Sequence, residues 1–95
     1  MRNTSNDLLD EIREMKGISS DYGLAKLFDV LPQTISHYRH GRTQMGDLMA
    51  VRAARMLGHP PAPLLAKLAA ERTKDSEVAK IWRDAAKVLA QKSKK

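Results

Sequence analysis

Between Pro32 and His40 the chain reads Pro-Gln-Thr-Ile-Ser-His-Tyr-Arg-His. Wound as a helix, this stretch sets Ile35 and Tyr38 on one face and leaves Gln33, Thr34, Ser36, His37 and Arg39 for the outside. The outward types are hydrogen-bonding ones. A glutamine amide offers a donor and an acceptor side by side, serine and histidine offer either, and arginine offers a charged fork. No Asp or Glu occurs from Pro32 to Gly46. Such a face suits recognition of polar edges rather than bond-making. His37 and His40 stand one helical turn apart, acceptable spacing for two metal ligands, but there is no cysteine and no evident third ligand, so no metal is expected. His59, beside prolines, reads as an ordinary loop residue. Asp7 with Glu11, and Asp10 with Glu14, are helix-surface pairs. With no clustered carboxylates, nucleophile–base spacing or phosphate-cradling glycine loop, neither an enzyme nor a cofactor is expected.

The polar face needs elements to hold it, and Ser20 to Arg42 supplies them as two short helices joined by a sharp turn. Ser20, with Ser19 as the alternative, caps the first, which runs to about Phe28 with Leu24, Ala25, Leu27 and Phe28 inward. Ala25 is the small residue needed where two helices cross steeply. Asp29 falls where the turn requires a positive φ, a conformation that Asp tolerates. Val30 then plugs the space between the helices. Leu31 precedes a proline and is therefore pushed to an extended conformation. Pro32 fits the first helical position, where a missing N–H costs nothing. Leu31 offers no side-chain cap, a loss of about 1 kcal/mol relative to Ser or Thr, which a Val30–Ile35 staple partly offsets. The second helix ends at about His40, before Gly41 and an Arg42-Thr43-Gln44 loop.

Leu24-Ala25, Phe28, Val30, Gln33-Thr34-Ile35-Ser36 and the closing Gly41 resemble the Cro/CI-type helix-turn-helix family of phage and bacterial repressors. Two departures stand out: Asp29 replaces the usual turn glycine, and Leu31-Pro32 replaces the polar pair that usually opens the second helix. The resemblance extends over the order of elements from residue 5 to about residue 72.

The rest of the chain reads as support. Helix one is expected from about Ser5 to Lys16, with Thr4 as N-cap, Leu8, Leu9, Ile12 and Met15 as its apolar stripe, and Gly17 as a left-handed stop. Ile18 anchors the connection. A fourth helix runs from about Gly46 to Leu57, with Met49, Ala50, Ala53 and Leu57 inward and Arg52 and Arg55 solvated; Gly58 closes it. The segment His59 to Pro63 reads as a stiff connection. A fifth helix follows from about Pro63 to Arg72, with Leu64, Leu65 and Leu68 apolar. Asp75 starts the last helix, where Val78, Ile81, Trp82, Ala85 and Leu89 form a stripe at heptad-like spacing. That stripe either completes a monomer core against helices one and five or pairs with a second copy. There is no internal repeat and no β signal. The fold class is therefore all-α: a compact five-helix domain over residues 1–72, with a C-terminal helix and basic tail over 73–95 packed on it as a candidate dimerisation element.

Composition bounds the partners. The chain has 95 residues, a net charge of +6 and no cysteine. One domain is expected, in a reducing compartment. The apolar run from Pro61 to Ala66 is too short to span a bilayer, and the N-terminus has no apolar h-region, so a cytoplasmic protein is expected. The positive charge favours a polyanionic partner. It is unevenly placed: residues 1–20 carry Asp7, Asp10, Glu11 and Glu14 against Arg2, Arg13 and Lys16, whereas much of the surplus lies beyond residue 50 and ends in Lys92-Ser93-Lys94-Lys95. The lysine tail is read as a solubility feature.

The resemblance implies a recognition helix lying in the DNA major groove, which admits an α-helix and displays a distinct pattern for each base pair. Carried over by position, the base-reading residues are Pro32, Gln33, Ser36 and His37, with Gln33 matched to adenine. Backbone contacts fall to Tyr22, Lys26, Thr34, Arg39, His40, Arg42 and Thr43, and the amides of Asp21 to Gly23 are candidates for a phosphate, although the Asp21 charge opposes one. Members of the family usually pair, so a homodimer reading a pseudopalindromic operator is implied, through Leu64, Leu68, Val78, Ile81, Trp82, Ala85 and Leu89. The expected function is a phage or prophage repressor with no small-molecule substrate. The alternative is a protein-interaction module, such as an antitoxin or antirepressor using the same helix pair.

Overall fold

The computed structural model describes residues 3–92. Over them the chain forms six helices and no strands: α1 (Thr4–Lys16), α2 (Asp21–Phe28), α3 (Pro32–Arg39), α4 (Asp47–Leu57), α5 (Pro61–Arg72) and α6 (Ser76–Lys92). The tail residues 93–95 lie outside the described residues.

α1 begins one residue earlier than its pattern suggested. Asn3, in extended conformation, is the N-cap, and its side chain accepts from the Asn6 amide at 2.9 Å. Thr4, expected as the cap, is instead the first helical residue. Its backbone N–H and its hydroxyl both donate to the Glu71 carboxylate of α5, so an acid sits where the helix dipole favours one. Ser5 is buried too, and its hydroxyl accepts from the Met45 amide at 3.1 Å. Leu8, Leu9 and Ile12 are buried, whereas Met15, expected on the same stripe, is 48% exposed. It lies in the last turn of α1. Gly17 ends α1 at φ 66°, and its amide and that of Ile18 close on Glu14 and Arg13.

α2 is capped by Ser20, whose hydroxyl accepts from Gly23 N at 3.1 Å. A Cβ on Gly23 would lie 2.6 Å from Ile18 Cγ2, so the glycine is what lets the α1–α2 connection close over this helix. Asp29 takes the left-handed conformation its position required, at φ 57° and ψ 48°. Val30 N bonds to Ala25 O at 2.9 Å and Asp29 N to Lys26 O at 3.2 Å, the paired closure of a helix end. Asp29 is the only non-glycine with positive φ among the described residues. Relieving it by Asp29→Gly is expected to raise stability by up to about 1 kcal/mol, partly offset by unfolded-chain entropy. A urea midpoint that falls would contradict this.

The core gathers Leu8, Leu9, Ile12, Leu24, Ala25, Phe28, Ile35, Tyr38, Met45, Ala50, Ala53 and Leu68. α1 is its central strut, packing on α3, α4 and α5; α2 packs on α3, and α4 on α5. Met45, which the helical patterns passed over because it lies in a loop, is fully buried. α5 starts at Pro61 rather than Pro63: Pro61 takes the first position and Pro63 is also helical, within the first turn where amides lack intrahelical partners. The connection before it is thus only Gly58 to Pro60. Leu68, expected at a dimer face, is fully enclosed in this core, and Leu64 packs against it half-buried.

α6 packs along α5 through small residues. Ala79 and Ala86 are buried there, and Asp75 caps the helix by accepting from Glu77 N and Val78 N at 3.0 Å each. The large apolar residues lie mostly outside: Val78, Ile81, Trp82 and Val88 are all exposed, with Ala85 and Leu89 half-buried. The stripe therefore does not complete the core of this chain.

Candidate functional site

α3 is short, eight residues or about two turns, and two features define it locally. Leu31 is extended at φ −70° and ψ 145° and gives no side-chain cap; Pro32 follows as the first helical residue, and Thr34 N bonds to Leu31 O at 2.9 Å. Ile35 and Tyr38 are buried and fasten the inner face. Burial pushes the Tyr38 phenol above its ordinary pKa, and its hydroxyl reaches the Met49 sulfur at 3.5 Å.

The remaining side chains divide into those left outward and those already engaged. Pro32, Gln33 and Ser36 are exposed, and Thr34 and His37 are half-buried. Together they make one polar, acid-free surface along α3. Leu31, exposed at 69%, adds an apolar lip at its start. Sequence reasoning missed it as a surface feature, although its inability to cap was the available signal.

His40 is partly engaged. Its Nδ1 donates to the Ser36 carbonyl at 2.8 Å, because a carbonyl can only accept, and this leaves Nε2 outward. Arg42 N and Thr43 N bond to His37 O at 2.9 and 3.4 Å, so the loop after Gly41 is folded against the C-terminal end of α3. The Arg42 and Thr43 side chains are exposed there. On α2, Lys26 Nζ stands 5.0 Å from the centre of the Tyr22 ring, a cation–π pair on an exposed surface.

Two expectations are corrected. Of the amides opening α2, Gly23 N is taken by the Ser20 hydroxyl and so is not available to a phosphate, and the Asp21 carboxylate stands at the same end. Arg39, expected on a DNA phosphate, is turned inward with 19% of its side chain exposed. Its guanidinium binds Asp21 in a two-pronged contact at 3.1 and 3.0 Å and Asp10 at 2.8 Å. Burial alone would lower its pKa; the hydrogen bonds and charges of Asp21 and Asp10 outweigh that and raise it. The three partners lie far apart in sequence, on α1, α2 and α3, so no local pattern could have revealed them.

Elsewhere, His59 is more than a loop residue, since its Nε2 pairs with Glu11 and ties the α4–α5 connection to α1. Arg52 lies 5.9 Å from the Phe28 ring centre. No group of three His, Cys, Asp or Glu able to hold a metal occurs among the described residues, and none of their helices is long and apolar enough to cross a membrane.

Over 85 residues the chain is 36% identical to "Uncharacterized protein Gp-c" of Pseudoalteromonas phage PM2, spanning 84% of this chain and 91% of that protein. No family model and no solved structure matches the chain.

Proposed function

We propose, for a chain that belongs to the family of Gp-c from phage PM2, that it is a double-stranded DNA-binding transcriptional regulator of Cro/CI-like type, a phage or prophage repressor acting in the cytoplasm. One observation carries this reading. The α2–α3 pair, closed by a left-handed Asp29, sets α3 with its apolar residues inward and an acid-free row of hydrogen-bonding side chains outward. An α-helix fits the major groove, and Gln33 can pair in two-pronged fashion with adenine there. Ser36 and His37 lie one turn further along, and Pro32 meets the bases with an apolar surface. Tyr22, Lys26, Thr34, His40, Arg42 and Thr43 flank this row as phosphate contacts.

The same proposal includes a homodimer. Two recognition helices read half-sites one helical turn apart only if two chains pair, and the exposed Val78, Ile81, Trp82 and Val88 of α6 offer the apolar face for it.

The test is a pair of substitutions on an operator taken from DNA upstream of the gene. Gln33→Ala should lose discrimination at one base pair per half-site, about 1–3 kcal/mol. Arg42→Ala should weaken binding to all sequences alike and reduce the salt slope by about 1. Sequence preference left intact by Gln33→Ala would remove the base-reading assignment. A second reading is an interaction module of antitoxin or antirepressor type using the same α2–α3 pair, where Leu31 stands 69% exposed as an apolar contact. That reading requires tight partner binding that persists at high salt.

A further inference from the structure

We infer that the Asp10–Asp21–Arg39 cluster is a positioning device that fixes the roll of α3, so that Arg39 governs base reading without touching DNA; this rests on the DNA-reading proposal above. Few other strong contacts set that roll. α3 has eight residues and an N-terminus with no side-chain cap. Its buried contacts, Ile35 and Tyr38, are apolar over most of their surface, and hydrophobic contact is non-directional. The other directional ties of α3 are the Tyr38 hydroxyl on the Met49 sulfur and the backbone bonds of the turns at its two ends, all of them uncharged.

Arg39 adds a charged, two-pronged tie from α3 to α2 and a further contact to α1. Nε and Nη2 meet the two oxygens of Asp21 at 3.1 and 3.0 Å, and Nη1 meets Asp10 at 2.8 Å and the Asn6 side-chain oxygen at 3.4 Å. A planar guanidinium bound at both prongs fixes orientation as well as distance. Asp21 opens α2 and Asp10 lies within α1, so the last turn of α3 is referenced to two other helices at once. Arg13 steadies this frame: it lies 3.8 Å from Asp21 and donates to Ser19 O at 2.8 Å across the α1–α2 connection. Two-pronged base contacts tolerate misorientation of only about 10–20°. Gln33, at the opposite end of the same two turns, is therefore aimed from Arg39.

This role separates cleanly from a phosphate contact. Removing the acid in Asp21→Asn should strengthen binding to any polyanion if charge alone decides. A positioning role predicts the reverse for the operator. Affinity for upstream DNA should fall by about 5- to 150-fold, the equivalent of one two-pronged base contact. Binding to a scrambled duplex should hold or rise, and the salt slope should not change. Arg39→Lys, which keeps the charge and loses the fork, should reproduce that pattern; it also stands in if Asp21→Asn melts well below the unsubstituted protein.

A readout without DNA accompanies these titrations, namely amide hydrogen exchange in the free protein. Both variants should exchange faster over Ile35 to Arg39, with α4 and α5 unchanged. Operator affinity unchanged or raised in Asp21→Asn overturns the inference. So does an equal loss on both duplexes with a lower salt slope in Arg39→Lys, which would mark a direct phosphate contact. If the unsubstituted protein shows no preference for upstream DNA, the DNA reading fails by itself. Exchange then decides the clamp alone: faster exchange in α3 supports it and unchanged exchange overturns it.

Discussion

Trp82→Asp is expected to leave the chain folded, convert a dimer into a monomer and lower operator affinity by about 10²- to 10⁴-fold, the scale of lost two-site avidity. Folding should survive because the packing of α6 on α5 runs through Ala79 and Ala86, while Trp82 is 42% exposed. With more than half of the residue covered, the substitution is expected to cost stability within the ordinary range of about 0.5–3 kcal/mol, short of unfolding the chain. Association should not survive. In a two-fold interface every substitution occurs twice, and here it would place a carboxylate without a partner among Val78, Ile81 and Val88 of both copies. Trp is also enriched among the residues that dominate interface energetics. Sedimentation equilibrium checks the first half and titration against DNA the second. An unsubstituted protein that sediments as one chain would remove the dimer. A Trp82→Asp dimer would move the seam off α6.

Phe28→Ala should have the largest effect on stability, about 3–5 kcal/mol. The side chain is 1% exposed and closes α2 immediately before the left-handed turn. Truncation leaves a cavity beneath the residues that carry α3, and the loss is a large part of the roughly 5–15 kcal/mol that holds a typical domain together. DNA binding should weaken in parallel, since the helix pair shares this packing. Urea unfolding measures the change; a loss under about 1 kcal/mol would show that the α2–α3 corner does not depend on this ring.

The parts legible in the sequence are those governed by neighbours a few residues apart. Ser20 as cap, Gly17 and Asp29 at positive φ, Leu31 extended ahead of Pro32, and the inward Ile35 and Tyr38 all follow from capping, proline and helical-period rules acting within a turn or two. The parts that escaped depend on distant partners. Thr4 looked like a cap because nothing local announced that Glu71 would reach it. Arg39 looked like a phosphate contact because its acids lie 18 and 29 positions away. The α6 stripe was visible as a stripe, but periodicity identifies an apolar face without saying what meets it. The alanines at 79 and 86 let α5 approach closely and leave the large side chains facing outward. Val88, seven residues beyond Ile81, was within reach of the same spacing argument. Leu68 shows the converse: an apolar residue expected at a seam was needed for the core.

The central claim is that α3 reads sequence. Its most direct test is fluorescence anisotropy of the protein against labelled DNA from upstream of its own gene, with a scrambled duplex as control, at several salt concentrations. The account predicts tight binding to the upstream duplex, binding weaker by about 10³-fold or more to the scramble, and a steep loss of affinity with salt. Equal and weak binding to both duplexes would contradict it, leaving a basic protein whose outward α3 face serves some other partner.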